Sequence, residues 1–192
     1  MRIIGGIYRG KKITLPEDKK TRPLKDIVKE SIFNLIEHSN KFKIEIKNSL
    51  VLDLFAGSGS FGLECISRGA KKVVFIENYS KILNILKKNV NSINGNKNTN
   101  IIEKNCFDYL LENNQFQNKF NLIFLDPPYK EERINVLIDK IKENEFLKDD
   151  GIIIVHRHKK NNVIISKKID IFIHTNKNSR KFLTKKNILT QK

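Results

Sequence analysis

This sequence predicts an α/β fold: a doubly wound, mostly parallel sheet with an antiparallel C-terminal edge and a small N-terminal β arm. Three observations predict it. Short apolar runs of strand length alternate with helix-period segments between residues 50 and 155. A glycine-rich turn follows the first of those runs, and the final segments look strand-like with no helix between them. Strands that alternate with helices need crossover connections, which build a parallel sheet covered on both faces. Ligands of such sheets sit at the carboxyl ends of the strands.

The elements follow in order. Arg2-Ile3-Ile4 and Lys12-Ile13-Thr14-Leu15 are short β-type runs separated by Gly5, Gly6 and Gly10, which suggests a hairpin or extended arm. Pro16 and Pro23 bracket a loop. From Lys25 to Glu37, Ile27, Val28, Ile32, Phe33, Leu35 and Ile36 recur at helical spacing and predict an amphipathic helix. Next come a strand Leu50 to Leu54, a helix from Ser60, a strand Val73 to Ile76 and a helix Ser80 to Val90. The polar stretch Asn91 to Asn100 reads as a loop. A strand near Ile101, a helix Phe107 to Leu111, a strand Leu122 to Leu125, a helix Glu131 to Glu143 and a strand Ile152 to Val155 complete the alternation. Val163 to Ser166, Ile169 to Ile173 and Phe182 to Leu189 supply the antiparallel edge. The chain divides into an N-terminal basic arm and loop, residues 1–23, and one domain, residues 24–192.

A chain of 192 residues holds one such domain with a full core. Its 37 Lys and Arg outnumber 21 Asp and Glu, a formal charge of +16 that points to a polyanionic partner. The basic residues cluster at the front, where Arg2, Arg9, Lys11, Lys12, Lys19, Lys20, Arg22 and Lys25 face only Glu17 and Asp18. Arg2, Arg9, Lys11, Lys12 and Arg22 are the candidate phosphate contacts. The two cysteines, Cys65 and Cys106, lie far apart and read as reduced thiols. The first residues lack a signal-peptide core and no apolar run reaches membrane-spanning length, so a cytoplasmic protein without membrane contact is expected; a monomer is expected as well. His156 and His158 alternate on a strand without Cys or carboxylate company, and no metal is expected.

Two motifs carry the chemistry. Asp53-Leu-Phe-Ala-Gly57-Ser-Gly59-Ser-Phe-Gly62 is a strand end, a glycine turn and a helix start, where free N–H groups can meet a carboxylate or phosphate. The spacing Gly57, Gly59, Gly62 equally fits a dinucleotide site. Asp53, ahead of the glycines, can accept from a cationic amino group, which the methionine end of S-adenosylmethionine has and NAD lacks. Glu77, closing the second strand, stands where a carboxylate meets ribose hydroxyls. The second motif, Asp126-Pro127-Pro128-Tyr129, follows Leu122-Ile-Phe-Leu125. Two prolines hold the backbone extended, so that the Pro127 carbonyl and the Asp126 carboxylate can converge on an amino group. Gripping both hydrogens frees the lone pair of an exocyclic base nitrogen for attack, and Tyr129 offers a stacking face.

With Asp-Pro-Pro-Tyr, the glycine turn looks like that of the amino-directed nucleic-acid methyltransferases. Arg2-Ile-Ile-Gly-Gly-Ile-Tyr-Arg-Gly-Lys-Lys, Thr21-Arg22-Pro23 and Asp26-Ile-Val-Lys-Glu-Ser-Ile-Phe-Asn-Leu-Ile resemble the N-terminal signature of the bacterial RsmD-type family of 16S ribosomal RNA guanine-N(2) methyltransferases. That resemblance implies a Rossmann-like class I methyltransferase fold, S-adenosylmethionine as cofactor, and methylation of a guanine 2-amino group in ribosomal RNA, within the small ribosomal subunit. It further implies that Asp53, Phe55, Ala56, Gly57, Ser58, Gly59, Glu77, Asn105 and Cys106 line the cofactor pocket. Asp126 to Tyr129 would hold the guanine, with Arg22 near the mouth. Asn105 stands where many relatives carry an Asp that accepts from the adenine amino group. His156 stands where a Glu is common. A DNA adenine methyltransferase shares the chemistry, but the chain leaves no room for a separate target-recognition domain. A dehydrogenase would need an acid–base residue and a substrate domain, and neither is found.

Overall fold

A computed structural model describes residues 1–17, 24–38, 44–112, 119–128 and 130–157, together with the backbone of 170–175 and 180–183. The elements are α1 (Asp26–His38), β1 (Leu50–Asp53), α2 (Ser60–Ser67), β2 (Lys72–Glu77), α3 (Ser80–Ser92), β3 (Thr99–Glu103), α4 (Cys106–Glu112), β4 (Phe120–Leu125), α5 (Ile134–Glu143), β5 (Leu147–Arg157), β6 (Asp170–Thr175) and β7 (Arg180–Leu183). They form one seven-stranded sheet in the order β3-β2-β1-β4-β5-β6-β7. The order reverses between β1 and β4, which pair in parallel with Asp53 opposite Phe124. The loops that leave these two strands therefore lie side by side.

The C-terminal edge is antiparallel at β7 alone. β6 runs parallel to β5, with Ile153 opposite Ile171, and β7 turns back along it, with Phe172 opposite Phe182. Direct succession of strand-like segments had suggested antiparallel pairing for both. Val163 to Ser166, between β5 and β6, lies outside the described residues.

Period-two alternation sends residues to two cores. Val51, Val73, Phe75, Leu122, Phe124, Ile152 and Ile154 share one cluster with apolar residues of α1, α2 and α3. Leu52, Val74, Ile76, Ile123, Leu125, Ile153 and Val155 share the other with α4 and α5. By the same parity Asp53, Glu77, Asp126 and His156 extend the first face at its carboxyl edge. In α1 the buried residues Val28, Ile32, Phe33 and Ile36 keep helical spacing. Phe33 stacks on Phe61 of α2 at 5.2 Å, and Phe61 on Phe124 of β4 at 3.8 Å. This column of rings ends two residues before Asp126.

The N-terminal arm is a hairpin with Arg2 bridged to Lys12, and it is bonded tightly to the sheet domain. Glu64 of α2, fully buried, accepts the N–H groups of Ile4 at 2.8 Å and Gly5 at 2.7 Å and pairs with Arg68 at 3.0 Å. The Ser67 hydroxyl donates to the Gly5 carbonyl, and its oxygen accepts the N–H of Tyr8. Lys29 is also fully buried and donates to the Arg2 carbonyl at 2.6 Å, with Asp26 at 3.3 Å and Glu64 at 3.9 Å. Burial pulls its ammonium below the usual lysine range, while Glu64 and Asp26 push it back up. Further along, Asn89 of α3 accepts the Thr14 N–H and donates its own amide hydrogens to the carbonyls of Thr14 and Ser58, all at 2.9 Å.

Candidate active site

A cavity of about 450 Å³ opens at the carboxyl edge beside the β1–β4 reversal, a volume suited to one small ligand. It brings together Asp53, Phe55, Ala56, Gly57, Ser58, Glu77, Asn105, Cys106, Asp126, Pro127 and Pro128 in its lining. Gly59 stands behind the lining as the cap of α2, with φ +83°. Arg2, Arg9, Lys11 and Lys12 are exposed on the arm, away from the lining. Arg22 and Tyr129 lie outside the described residues.

The glycine turn is built by close approach. A Cβ on Gly62 would sit 2.2 Å from the Phe75 ring, so only glycine lets α2 lie this close to β2. The turn is pinned from both sides, because Ala56 donates its N–H to the Ile76 carbonyl at 3.1 Å and Leu54 donates to the Phe124 carbonyl at 3.0 Å. Glu77 completes the clamp. Its carboxylate accepts the N–H of Gly57 at 2.8 Å on one oxygen and those of Asn78 and Tyr79 at 2.9 Å on the other. This role in holding the turn was invisible in the sequence.

Asp53 differs in kind. It is 1 % exposed, and its Oδ1 has no hydrogen-bond partner among the described residues. Burial raises its pKa to about 8; the neighbouring Asp126 and Glu77 charges add to the rise, while the Gly62 and Phe55 N–H groups oppose it. A buried carboxyl group with an orphaned oxygen, beside two more acidic residues, is chemically suited to a cationic ligand. Asn105 caps α4: its Oδ1 accepts the Phe107 N–H at 2.9 Å, which leaves the amide nitrogen as its hydrogen-bearing group toward a ligand. The expected acceptor is thus already engaged by backbone. Burial, and next the Glu131 charge, push the Cys106 thiol up to about 12, so it serves as small apolar wall and not as nucleophile.

Sequence reasoning missed several residues here. Pro16 and Leu24, at the two ends of the loop after the arm, both line the cavity, as do Tyr79, Phe107 and Glu131. His156, 2 % exposed on β5, places its Nδ1 2.9 Å from Oδ1 of Asp126. Leu125 and Val155 are register partners on neighbouring parallel strands and Asp126 and His156 are the residues that follow, so the folded pairing sets the two side by side.

The sheet order is that of doubly wound nucleotide-binding folds in general, and similarity to named methyltransferases places the chain in the S-adenosylmethionine-dependent methyltransferase class, whose cofactor is S-adenosylmethionine. A solved enzyme of that description from Agrobacterium tumefaciens matches 80% of this chain and 45% of its own with TM-score 0.53 at 14% identity, a likeness of fold. Within the class, a family described as "Conserved hypothetical protein 95" matches residues 1–184, and the chain belongs to it. The Haemophilus influenzae protein named "Ribosomal RNA small subunit methyltransferase D" is 37% identical over 160 residues, 83% of this chain and 79% of its own. The Escherichia coli protein of the same name is 31% identical over 161 residues, 84% and 76% of the two chains. A solved Streptococcus pyogenes structure described as a conserved hypothetical protein superposes with TM-score 0.61 at 27% identity, covering 74% of this chain and 82% of that one. Among the described residues no helix is long and apolar enough to cross a membrane.

Asp53 provides a measurable consequence. Its folded pKa of about 8 lies above its ordinary 3.8, so the folded state holds a proton that the unfolded chain has released, and stability falls as pH rises through that interval. Asp53→Asn cannot ionise. Its melting temperature without ligand is expected to exceed that of the parent by a margin that widens from pH 5 to pH 8, while its affinity for S-adenosylmethionine drops by about 10–100-fold, the worth of one charged hydrogen bond. A margin that narrows with rising pH would contradict the assignment.

Proposed function

We propose that this chain transfers a methyl group from S-adenosylmethionine to the exocyclic 2-amino group of a guanine in small-subunit ribosomal RNA. One observation carries the reading: a single cavity joins a buried Asp53 carboxyl group, whose Oδ1 has no hydrogen-bond partner among the described residues, with the Asp126-Pro127-Pro128 turn suited to an amino group. The proteins named above from Haemophilus and Escherichia, whose names specify the small-subunit ribosomal RNA, support the substrate class.

When bound, S-adenosylmethionine supplies an electrophilic methyl group on a sulfonium. The protein's own groups do the rest. Asp53 accepts from the ammonium of the methionine end; Phe55 to Gly59 pass beside it as backbone; Glu77 offers its remaining lone pairs to the ribose hydroxyls; Asn105 and Cys106 border the adenine. Asp126 and the Pro127 carbonyl each accept one hydrogen of the guanine amino group, and Tyr129 stacks on the ring. Held by these two acceptors, the nitrogen lone pair would be freed from the ring and turned toward that methyl group. The proton that becomes acidic then leaves to Asp126 or water. No Lewis acid is needed, because the sulfonium is already a good leaving group. In this reading residues 1–23 are an RNA-contacting arm and residues 24–192 the methyltransferase domain, working as a cytoplasmic monomer. Arg2, Arg9, Lys11, Lys12 and Arg22 meet phosphates, the source of salt-dependent affinity.

The test is mass spectrometry of nucleosides from small ribosomal subunits, taken from cells lacking the modification and treated with the protein and isotopically labelled S-adenosylmethionine. Label in N2-methylguanosine is expected. Label in N6-methyladenosine, or transfer to DNA in preference to RNA, would overturn the guanine assignment.

A further inference from the structure

We propose that His156 is a positioning residue for Asp126, holding its carboxylate in the orientation that the amino group requires; the inference rests on the function proposed above. Four features of the structure support it. First, the contact is direct, Nδ1 to Oδ1 at 2.9 Å. Second, the two residues extend neighbouring parallel strands beyond the paired Leu125 and Val155, so the backbone register fixes their separation. Third, His156 is 2 % exposed and the Asp126 side chain 14 % exposed, so water competes little for the shared hydrogen. Fourth, Asp126 lines the cavity whereas His156 does not, so the imidazole approaches the carboxylate from behind.

The chemistry follows from what each group can offer. An ionised carboxylate only accepts, so Nδ1 carries the hydrogen and donates it to Oδ1. That bond takes one lone pair of Oδ1 and sets the plane of the carboxylate that faces the cavity. It does so without the imidazole touching substrate.

The experiment compares His156→Asn, His156→Gln and His156→Leu in single-turnover methylation of small ribosomal subunits, with separate binding isotherms for S-adenosylmethionine and for the subunits. The asparagine amide reaches the position of Nδ1, whereas the glutamine amide reaches that of Nε2. Leucine and glutamine are therefore expected to lower the turnover rate by up to about 10²-fold, as a misplaced catalytic group does, with both affinities unchanged. Asparagine is expected to recover most of the loss. A packing role predicts a different result, with asparagine no better than leucine, and that pattern would overturn the proposal. So would wild-type turnover in all three. If leucine does not fold, the asparagine and glutamine pair decides alone. Asp126→Asn, run beside them, separates the two levels of inference. An inactive Asp126→Asn alongside fully active His156 variants removes only the histidine's role. A fully active Asp126→Asn removes the proposed reaction, and the positioning role with it.

Discussion

Asp126→Ala is expected to lose roughly 10²–10⁴ in turnover, the span typical of a positioned proton-handling group. The loss should fall on the chemical step alone. In the reaction proposed above Asp126 contributes one of two acceptors for the amino group, and without it the nitrogen lone pair would stay delocalised into the ring. Its charge is also a cause, after burial, of the raised Asp53 pKa. Removing that charge makes Asp53 easier to ionise, so affinity for the cationic S-adenosylmethionine should hold or improve. A variant slow in single turnover yet tight in cofactor binding has this signature; wild-type turnover would refute the assigned role.

Glu64→Ala is expected to cost about 3–5 kcal/mol of folding stability, the penalty for breaking a buried ion pair by deleting one partner. The change orphans the N–H groups of Ile4 and Gly5 and strips Lys29, itself fully buried, of a counter-charge. Arg68 loses its partner as well, though it keeps Glu37 at the surface. Urea denaturation measures the loss. Hydrogen exchange should show the Ile4 and Gly5 amides released before the rest of the sheet, and a midpoint within error of the parent would mean that Glu64 adds nothing to the hold that Ser67, Lys29, Asn89 and apolar packing have on the arm.

The strands could be read from the sequence because each is an apolar run bounded by polar or glycine residues, and the helices because their buried faces repeat at helical spacing. The boundaries failed where backbone pairing recruits polar residues. β5 begins at Leu147 and runs through Lys148, Asp149, Asp150 and Gly151, whose side chains argue for a loop, because Leu147 pairs with Phe120 ahead of a register shift. β3 takes Thr99 and Asn100 from a stretch that reads as loop because their backbone pairs with Val73 and Val74. α5 starts at Ile134, since Glu131 is held in a turn by the Pro128 carbonyl. At the site, Asp53, Glu77 and Asp126 were legible because each closes a strand next to a turn motif. Glu64, Asn89 and His156 were not, because their partners stand 30 or more positions away in the chain and only the folded register brings them together.

Asn89 fastens Thr14 and Ser58 to the same side chain, and Glu64 fastens the opposite stretch of the hairpin to the helix that opens behind the glycines. These bonds tie the arm to both sides of the cavity, so the exposed charges of Arg2, Arg9, Lys11 and Lys12 stand at a set reach from it. Under the function proposed above, an RNA seated on those charges would have to do the bending itself, and the arm would act as a gauge that admits only substrates able to swing a base across that reach.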